Sequence, residues 1–208
     1  AAGGVSPGTL ALGPLKTFSP ARQRNVLRYW LRHRGLAVPP AAVLGHILQD
    51  MAQARSDAGP LVRWNGGEVR RYRDQLYALS GLPAFDAAAE FSWQPAQPLD
   101  LPSAVGTLEA LPTAGAGLAA RFALDGGLRV RFRRGGEMLR PSGRTHRRAL
   151  KKLFQEAGVP PWERERIPLV YVDGELGAVA GFWVCDGFQA MGGEPGLVLR
   201  WSRWGQHA

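Results

Sequence analysis

Five prolines, Pro83, Pro95, Pro98, Pro102 and Pro112, fall within residues 81–117, and that stretch limits what the chain can become. Proline lacks the N–H, breaks helix interiors and is confined to the edges or starts of strands. A linker and an edge strand are its expected contents. Charge divides at the same place. Residues 1–80 carry a net +7, residues 81–127 a net −4, residues 128–172 a net +8 and residues 173–208 a net −2. Two basic blocks separated by an acidic, Pro-rich stretch predict two modules, each presenting one cationic face. The 208 residues suit that division. The expected order is a flexible lead-in over 1–17, a first module over 18–80, a linker with an edge strand near Phe91-Ser92-Trp93 over 81–117, and a second module over 118–208.

The first module reads as helix, helix, hairpin. Ser19 is placed to cap a helix with Pro20 at its first position, and Gly35 to stop it. Val26, Leu27, Trp30 and Leu31 recur at helical spacing, with Arg24, Arg28 and Arg32 striping the opposite side. A second helix begins after Pro39-Pro40, its buried face made by Val43, Leu44, Ile47, Leu48 and Met51. Leu61 to Trp64, a turn at Asn65-Gly66-Gly67, and Glu68 to Leu79 read as two strands. In the second module, alternation at Leu118, Ala120, Phe122 and Leu124, a turn at Asp125-Gly126-Gly127, and alternation at Leu128, Val130 and Phe132 predict a hairpin. Period two then puts Arg129, Arg131 and Arg133 on one face. A helix from about Thr145 to Ala157, a strand from Ile167 to Val172 and another from Leu176 to Val184 complete it. The fold class expected is α+β.

Composition removes several functions. The single cysteine, Cys185, permits no internal disulfide and no multi-cysteine zinc site; it reads as a small core residue in a reducing compartment, hence the cytoplasm. The apolar run Leu176 to Cys185 is too short to span a bilayer, and Ala1 to Leu15 has no basic n-region. The chain lacks an initiator Met and reads as a piece of something longer. His33, His46, His146 and His207 show no ligand spacing, so no metal site is expected. Glu163 and Glu165 alternate with Arg164 and Arg166 as a charged loop, and no Gly-x-Ser-x-Gly elbow is present. Gly3-Gly4-Val5-Ser6 lacks the Lys-Ser/Thr of a phosphate loop. No catalytic or cofactor-binding residue is assigned.

What remains is cationic surface. The chain holds 23 Arg against three Lys, with a pI near 10.7. Guanidinium is planar, forked and able to stack, which suits phosphates and bases. Arg70, Arg71, Tyr72 and Arg73 form one candidate cluster. Arg129, Arg131, Arg133 and Arg134, followed by Arg140, Arg144, Arg147, Arg148, Lys151 and Lys152, form the other. Replacing Arg70, Arg71 and Arg73 by Ala is expected to weaken RNA affinity and leave the fold intact.

The order of motifs resembles the C-terminal half of the tRNA(Ile)-lysidine synthetase family. Its first C-terminal domain is matched by Arg22-Gln23-Arg24, Leu27-Arg28-Tyr29-Trp30-Leu31, Ala54-Arg55-Ser56-Asp57-Ala58-Gly59-Pro60 and Arg70-Arg71-Tyr72-Arg73 with Leu76-Tyr77. Its last domain is matched by Arg129-Val130-Arg131, Gly136-Glu137, Leu150-Lys151-Lys152-Leu153-Phe154-Gln155-Glu156, Val159-Pro160-Pro161-Trp162-Glu163-Arg164 and Pro168-Leu169-Val170-Tyr171. A related small domain occurs in a phenylalanyl-tRNA synthetase subunit. The resemblance adds Trp162 and Arg164 to the candidate RNA contacts. It implies a protein that uses ATP and Mg to join lysine to the wobble cytidine, position 34, of CAU-anticodon tRNA(Ile), switching decoding from AUG to AUA. The Ser-Gly-Gly-x-Asp-Ser loop of that chemistry is absent from this sequence. The chain is therefore expected to hold the tRNA, chiefly its acceptor stem, and to be inactive alone. Two other readings stay open: a stand-alone RNA- or DNA-binding module, and an enzyme acting on an anionic small molecule.

Overall fold

The computed structural model describes residues 8–55, 58–102, 105–123 and 127–202. The chain divides into two compact units, residues 1–82 and 83–208. Gly3-Gly4-Val5-Ser6, Ser56-Asp57, Leu124-Asp125-Gly126 and His207 lie outside the described residues.

Unit one runs β1 (Leu10–Ala11), α1 (Leu12–Lys16), α2 (Pro20–His33), α3 (Ala41–Gln53), β2 (Leu61–Trp64), β3 (Gly67–Tyr72) and β4 (Gln75–Leu79). The Ser19 side chain accepts a hydrogen bond from the Arg22 N–H at 3.4 Å, with Pro20 opening α2. Gly35, at φ 69°, ends it, since the left-handed region costs glycine nothing. Leu27, Trp30 and Leu31 of α2 and Leu44, Ile47 and Met51 of α3 are buried against Val69 and Leu76 of the sheet. That sheet is antiparallel in the order β1-β4-β3-β2.

Two expectations change here. Glu68 to Leu79 is two strands, because Arg73 at φ 56° and Asp74 reverse the chain. Residues 10–16, expected to be a loose lead-in, belong to the unit: Leu10 pairs with Leu76, and Leu12 and Leu15 are buried.

Unit two runs β5 (Glu90–Trp93), β6 (Leu99–Leu101), β7 (Gly106–Ala114), β8 (Leu118–Ala119), a 3₁₀ turn (Ala120–Ala123), β9 (Leu128–Arg131), β10 (Met138–Leu139), β11 (Arg148–Ala149), α4 (Leu150–Glu156), α5 (Pro161–Arg164), β12 (Leu169–Val172), β13 (Glu175–Val179), β14 (Trp183–Val184) and β15 (Pro195–Ser202). A five-stranded sheet has the order β14-β13-β12-β9-β5, a four-stranded one β6-β7-β15-β8, and β10 pairs with β11. Between the two larger sheets lie Trp93, Leu108, Leu118, Leu128, Val130 and Phe132, all buried. Together the two units make an α+β protein.

The Pro-rich stretch is not a linker. It supplies β5, β6 and β7, and β7 pairs with β15 from Ala114↔Pro195 to Thr107↔Ser202. Pro112 falls beyond the reach of β6, where β7 has one neighbour, the position that tolerates a missing N–H. The expected hairpin around residue 125 is also replaced. β8 pairs with β15, and β9 pairs with β5 and β12, because Leu128 and Val130 find their core partners far along the chain. The helix expected over 145–157 is shorter, since Arg148-Ala149 instead pairs with Met138-Leu139. The strand expected from Leu176 to Val184 folds back on itself at Gly181, φ 74°, pairing Val184 with Ala178.

Candidate nucleic-acid interface

The cluster in unit one is divided by strand alternation and by the turn. Glu68, with its side chain 2% exposed, accepts hydrogen bonds from Arg70 Nε at 2.6 Å and Arg63 Nε at 2.9 Å. Burial alone would raise the Glu68 carboxyl, but the hydrogen bonds and charges of Arg70 and Arg63 hold it below the usual carboxylate range. Arg71 points the other way. Its Nη1 donates to the carbonyls of Met51 at 2.7 Å and Ala54 at 2.9 Å, and its Nε to that of Arg73 at 2.9 Å. These close the C-terminal end of α3, where carbonyls otherwise lack partners. Arg73 is exposed on the turn and lies over the Tyr72 ring at 5.2 Å. Of the four residues expected to meet nucleic acid, Arg73 is exposed and Tyr72 half-buried, while Arg70 bonds the buried Glu68 and Arg71 the end of α3.

The exposed side of α2 carries a feature that sequence reading passed over. Tyr29 is 72% exposed and stacks on His33 with ring centroids 6.1 Å apart and planes 7° from parallel. The helix holds Arg22, Arg24, Arg28 and Arg32 and no acidic residue. The i,i+4 spacing of an exposed tyrosine and histidine was the available signal; an aromatic in a helix reads as core by default.

In unit two, β9 alternates Leu128 and Val130 inward with Arg129 and Arg131 outward. Arg129 donates to Ser92 Oγ at 2.8 Å, and Arg131 Nη2 to Glu90 at 3.0 Å while covering the Tyr171 ring at 4.7 Å. The hydrogen bond from Arg131 and the surrounding guanidiniums hold the Glu90 carboxyl below its ordinary value. Arg133 follows the strand and pairs with Glu137 at 3.5 Å; Glu137 also accepts the N–H groups of Arg134 and Gly135 at 2.5 and 2.8 Å. Arg134 donates to the Ala88 carbonyl at 2.8 Å. Arg140 is paired with Asp186, and Arg148 forks onto Glu156. Arg144, Arg147, Lys151 and Lys152 are exposed.

Lys151 and Lys152 sit in the first turn of α4, and that turn holds no acidic residue. Positive charge there opposes the helix dipole and costs stability. Arg164 is 7% exposed with its Nε donating to the Val159 carbonyl at 2.8 Å, so it closes a loop inside the unit and is not a surface cation. Trp162 is half-buried beside it.

Cys185 is buried, and burial pushes its thiol up to about 11, with Arg147 pulling against that rise. Among the described residues no three His, Cys, Asp or Glu converge as metal ligands, and no helix is long and apolar enough to cross a membrane.

Comparison with known proteins places both units in one lineage. Residues 10–77 match the family model described as TilS substrate binding domain, and residues 128–201 that described as TilS substrate C-terminal domain. The tRNA(Ile)-lysidine synthase of Methylococcus capsulatus is 39% identical over 197 residues, covering 94% of this chain and 45% of that protein. The protein of the same name from Coxiella burnetii is 40% identical over 188 residues, covering 90% and 41%. That of Alkalilimnicola ehrlichii is 40% identical over 191 residues, covering 91% and 42%. The chain thus spans a little under half the length of the relatives it matches. With both domain models in chain order and relatives aligned along nine-tenths of its length, the chain belongs to the tRNA(Ile)-lysidine synthase family and carries its substrate-binding and C-terminal domains.

Proposed function

We propose that this chain is the tRNA-holding portion of an ATP-dependent ligase that joins lysine to the wobble cytidine of CAU-anticodon tRNA(Ile), acting in the cytoplasm. The observation that carries the reading is the exposed set Arg129, Arg144, Lys151 and Lys152 on the domain that matches the family's C-terminal model. Two of these oppose their own helix dipole, which supports a role for them outside the fold. An A-form stem hides its base edges in a deep, narrow groove and offers phosphates and 2′-hydroxyls, so cations on sheet, loop and helix suit an acceptor stem. Tyr72 with Arg73 on the first unit would add a second contact. ATP and Mg²⁺ belong to the family's reaction, and no described residue of this chain is assigned to hold either. This chain's part is binding and positioning, and it is inactive alone.

The test is binding to CAU-bearing tRNA(Ile) and to a methionine tRNA at two salt concentrations. Affinity should fall by about 0.7–0.9 log units per phosphate contact per log unit of salt. A preference for the first tRNA would show that this portion contributes identity. Salt-sensitive but equal binding would fit a general RNA module, and no binding at low salt would overturn the reading.

A further inference from the structure

A cavity of about 690 Å³ opens on the second unit, between the loop of residues 140–147, the tip of the β12–β13 hairpin and residues 185–188. Its walls are tied together. Asp186 N–H donates to the Arg140 carbonyl at 2.8 Å and Ser142 N–H to the Val184 carbonyl at 2.9 Å, and Pro141 bridges to Cys185. Such ties hold the space open before any ligand arrives. The lining is asymmetric. Leu176, Cys185 and Phe188 supply apolar surface, and Tyr171 adds an aromatic ring braced by the Arg131 guanidinium. The lining also holds His146 and Arg147, both exposed, and the carboxylates of Glu137, Glu175 and Asp186, of which Glu137 is paired with Arg133. Arg140 is already held by Asp186. Arg147 lines the cavity and, among the described residues, makes no ion pair.

We infer that this cavity takes one unstacked nucleotide, with its base against Tyr171 and the apolar floor and its phosphate at Arg147 and His146. The volume falls in the range of pockets that enclose small ligands, roughly 300–1,000 Å³, and excludes a base-paired stem. RNA residues outside a duplex are recognised by stacking on aromatic side chains and by hydrogen bonds to their exposed edges. Guanidinium supplies charge-assisted bonds to phosphate. Glu175, the lining carboxylate that no arginine holds among the described residues, can accept from an exocyclic amine, as carboxylates do from cytosine N4, and repels the carbonyl edge of uracil. The site therefore favours bases that carry an amino group over uracil. That the nucleotide is a residue of bound tRNA rests on the function proposed above; the same chemistry would also hold a free nucleoside monophosphate.

Two experiments separate these sources. Titration of the isotope-labelled chain with CMP, AMP, GMP or UMP, followed by amide resonances, should move Leu139, Gly174, Leu176 and Asp186 saturably, with UMP the weakest. Arg147→Ala, at an exposed position and with an unchanged melting temperature, should weaken CMP about tenfold, the loss of one charge-assisted contact. Glu175→Gln should narrow the gap between CMP and UMP. In parallel, Arg147→Ala should lower tRNA affinity by a similar factor and reduce the salt slope by about 0.7–0.9, one phosphate's worth. If nucleotides at millimolar concentration move none of these amides, or Arg147→Ala leaves CMP binding as it was, the cavity assignment is overturned even while tRNA still binds. CMP bound at the cavity, with tRNA binding untouched by Arg147→Ala, keeps the site and makes a free nucleotide its ligand. CMP binding by a chain that binds no tRNA keeps the cavity and removes the tRNA reading.

Discussion

Arg71 and Arg73 stand two positions apart and do different work. Arg71 satisfies carbonyls at the end of α3, so Arg71→Ala should lower stability by about 2–3 kcal/mol, read from denaturant unfolding. The triple replacement of Arg70, Arg71 and Arg73 therefore confounds affinity with folding. Arg73→Gly suits φ 56° and should change stability by less than about 1 kcal/mol while weakening tRNA binding. An unaltered tRNA affinity would take the turn out of the interface. Glu68 gives a pH signature. Its folded pKa lies below the unfolded one, so its contribution is present above the ordinary carboxylate range and disappears as pH falls through the folded value. Glu68→Gln should cost about 1–3 kcal/mol at neutral pH, with the gap to the parent closing in acid. A gap independent of pH would mean that packing, not charge, is what the substitution removes.

Among elements, α4 exchanges stability for charge. Lys151→Glu should stabilise the chain by about 0.3–1 kcal/mol by complementing the dipole, and at the same time weaken tRNA binding. Melting temperature and affinity moving in opposite directions would confirm that the lysines serve a ligand; both falling together would return them to the fold. β15 is the element on which the second unit turns, since β7 and β8 flank it on opposite sides. Gly196 on this strand has no room for a side chain: a Cβ there would overlap the Ala116 carbonyl and press on Ala190. Gly196→Ala should cost about 3 kcal/mol as the strand is pushed from its register, seen as a lowered denaturant midpoint.

At the scale of the molecule, each unit has cores of its own, divided at residues 82 and 83. Calorimetry should resolve two transitions, in keeping with separately folding cores. Trp30 is 7% exposed and its indole N–H donates to the Gly8 carbonyl at 3.0 Å. Trp30→Ala should cost about 3–5 kcal/mol, and should lower only the first unit's transition. A single transition that moves as a whole would show that the units fold together.

Features that depend on near neighbours could be read along the chain. The Ser19-Pro20 start, the Gly35 stop, the buried faces of α2 and α3, and the outward alternation of Arg129 and Arg131 follow from capping chemistry and side-chain period, which act within a few residues. The family was legible for the same reason, because its motifs are short runs at fixed spacing. Which strands pair was settled by contacts between distant segments. Pro112 reads as a linker residue until β15 arrives from 85 positions away to make β7 a strand. The pattern at 118–132 suits a hairpin until β5 and β12 claim β9. Charge behaved likewise. Arg70, Arg71 and Arg164 look alike in sequence to Arg73 and Arg147. A guanidinium is spent inside the fold when a buried carboxylate or an orphan carbonyl lies within its reach, and that depends on contacts between distant parts of the chain.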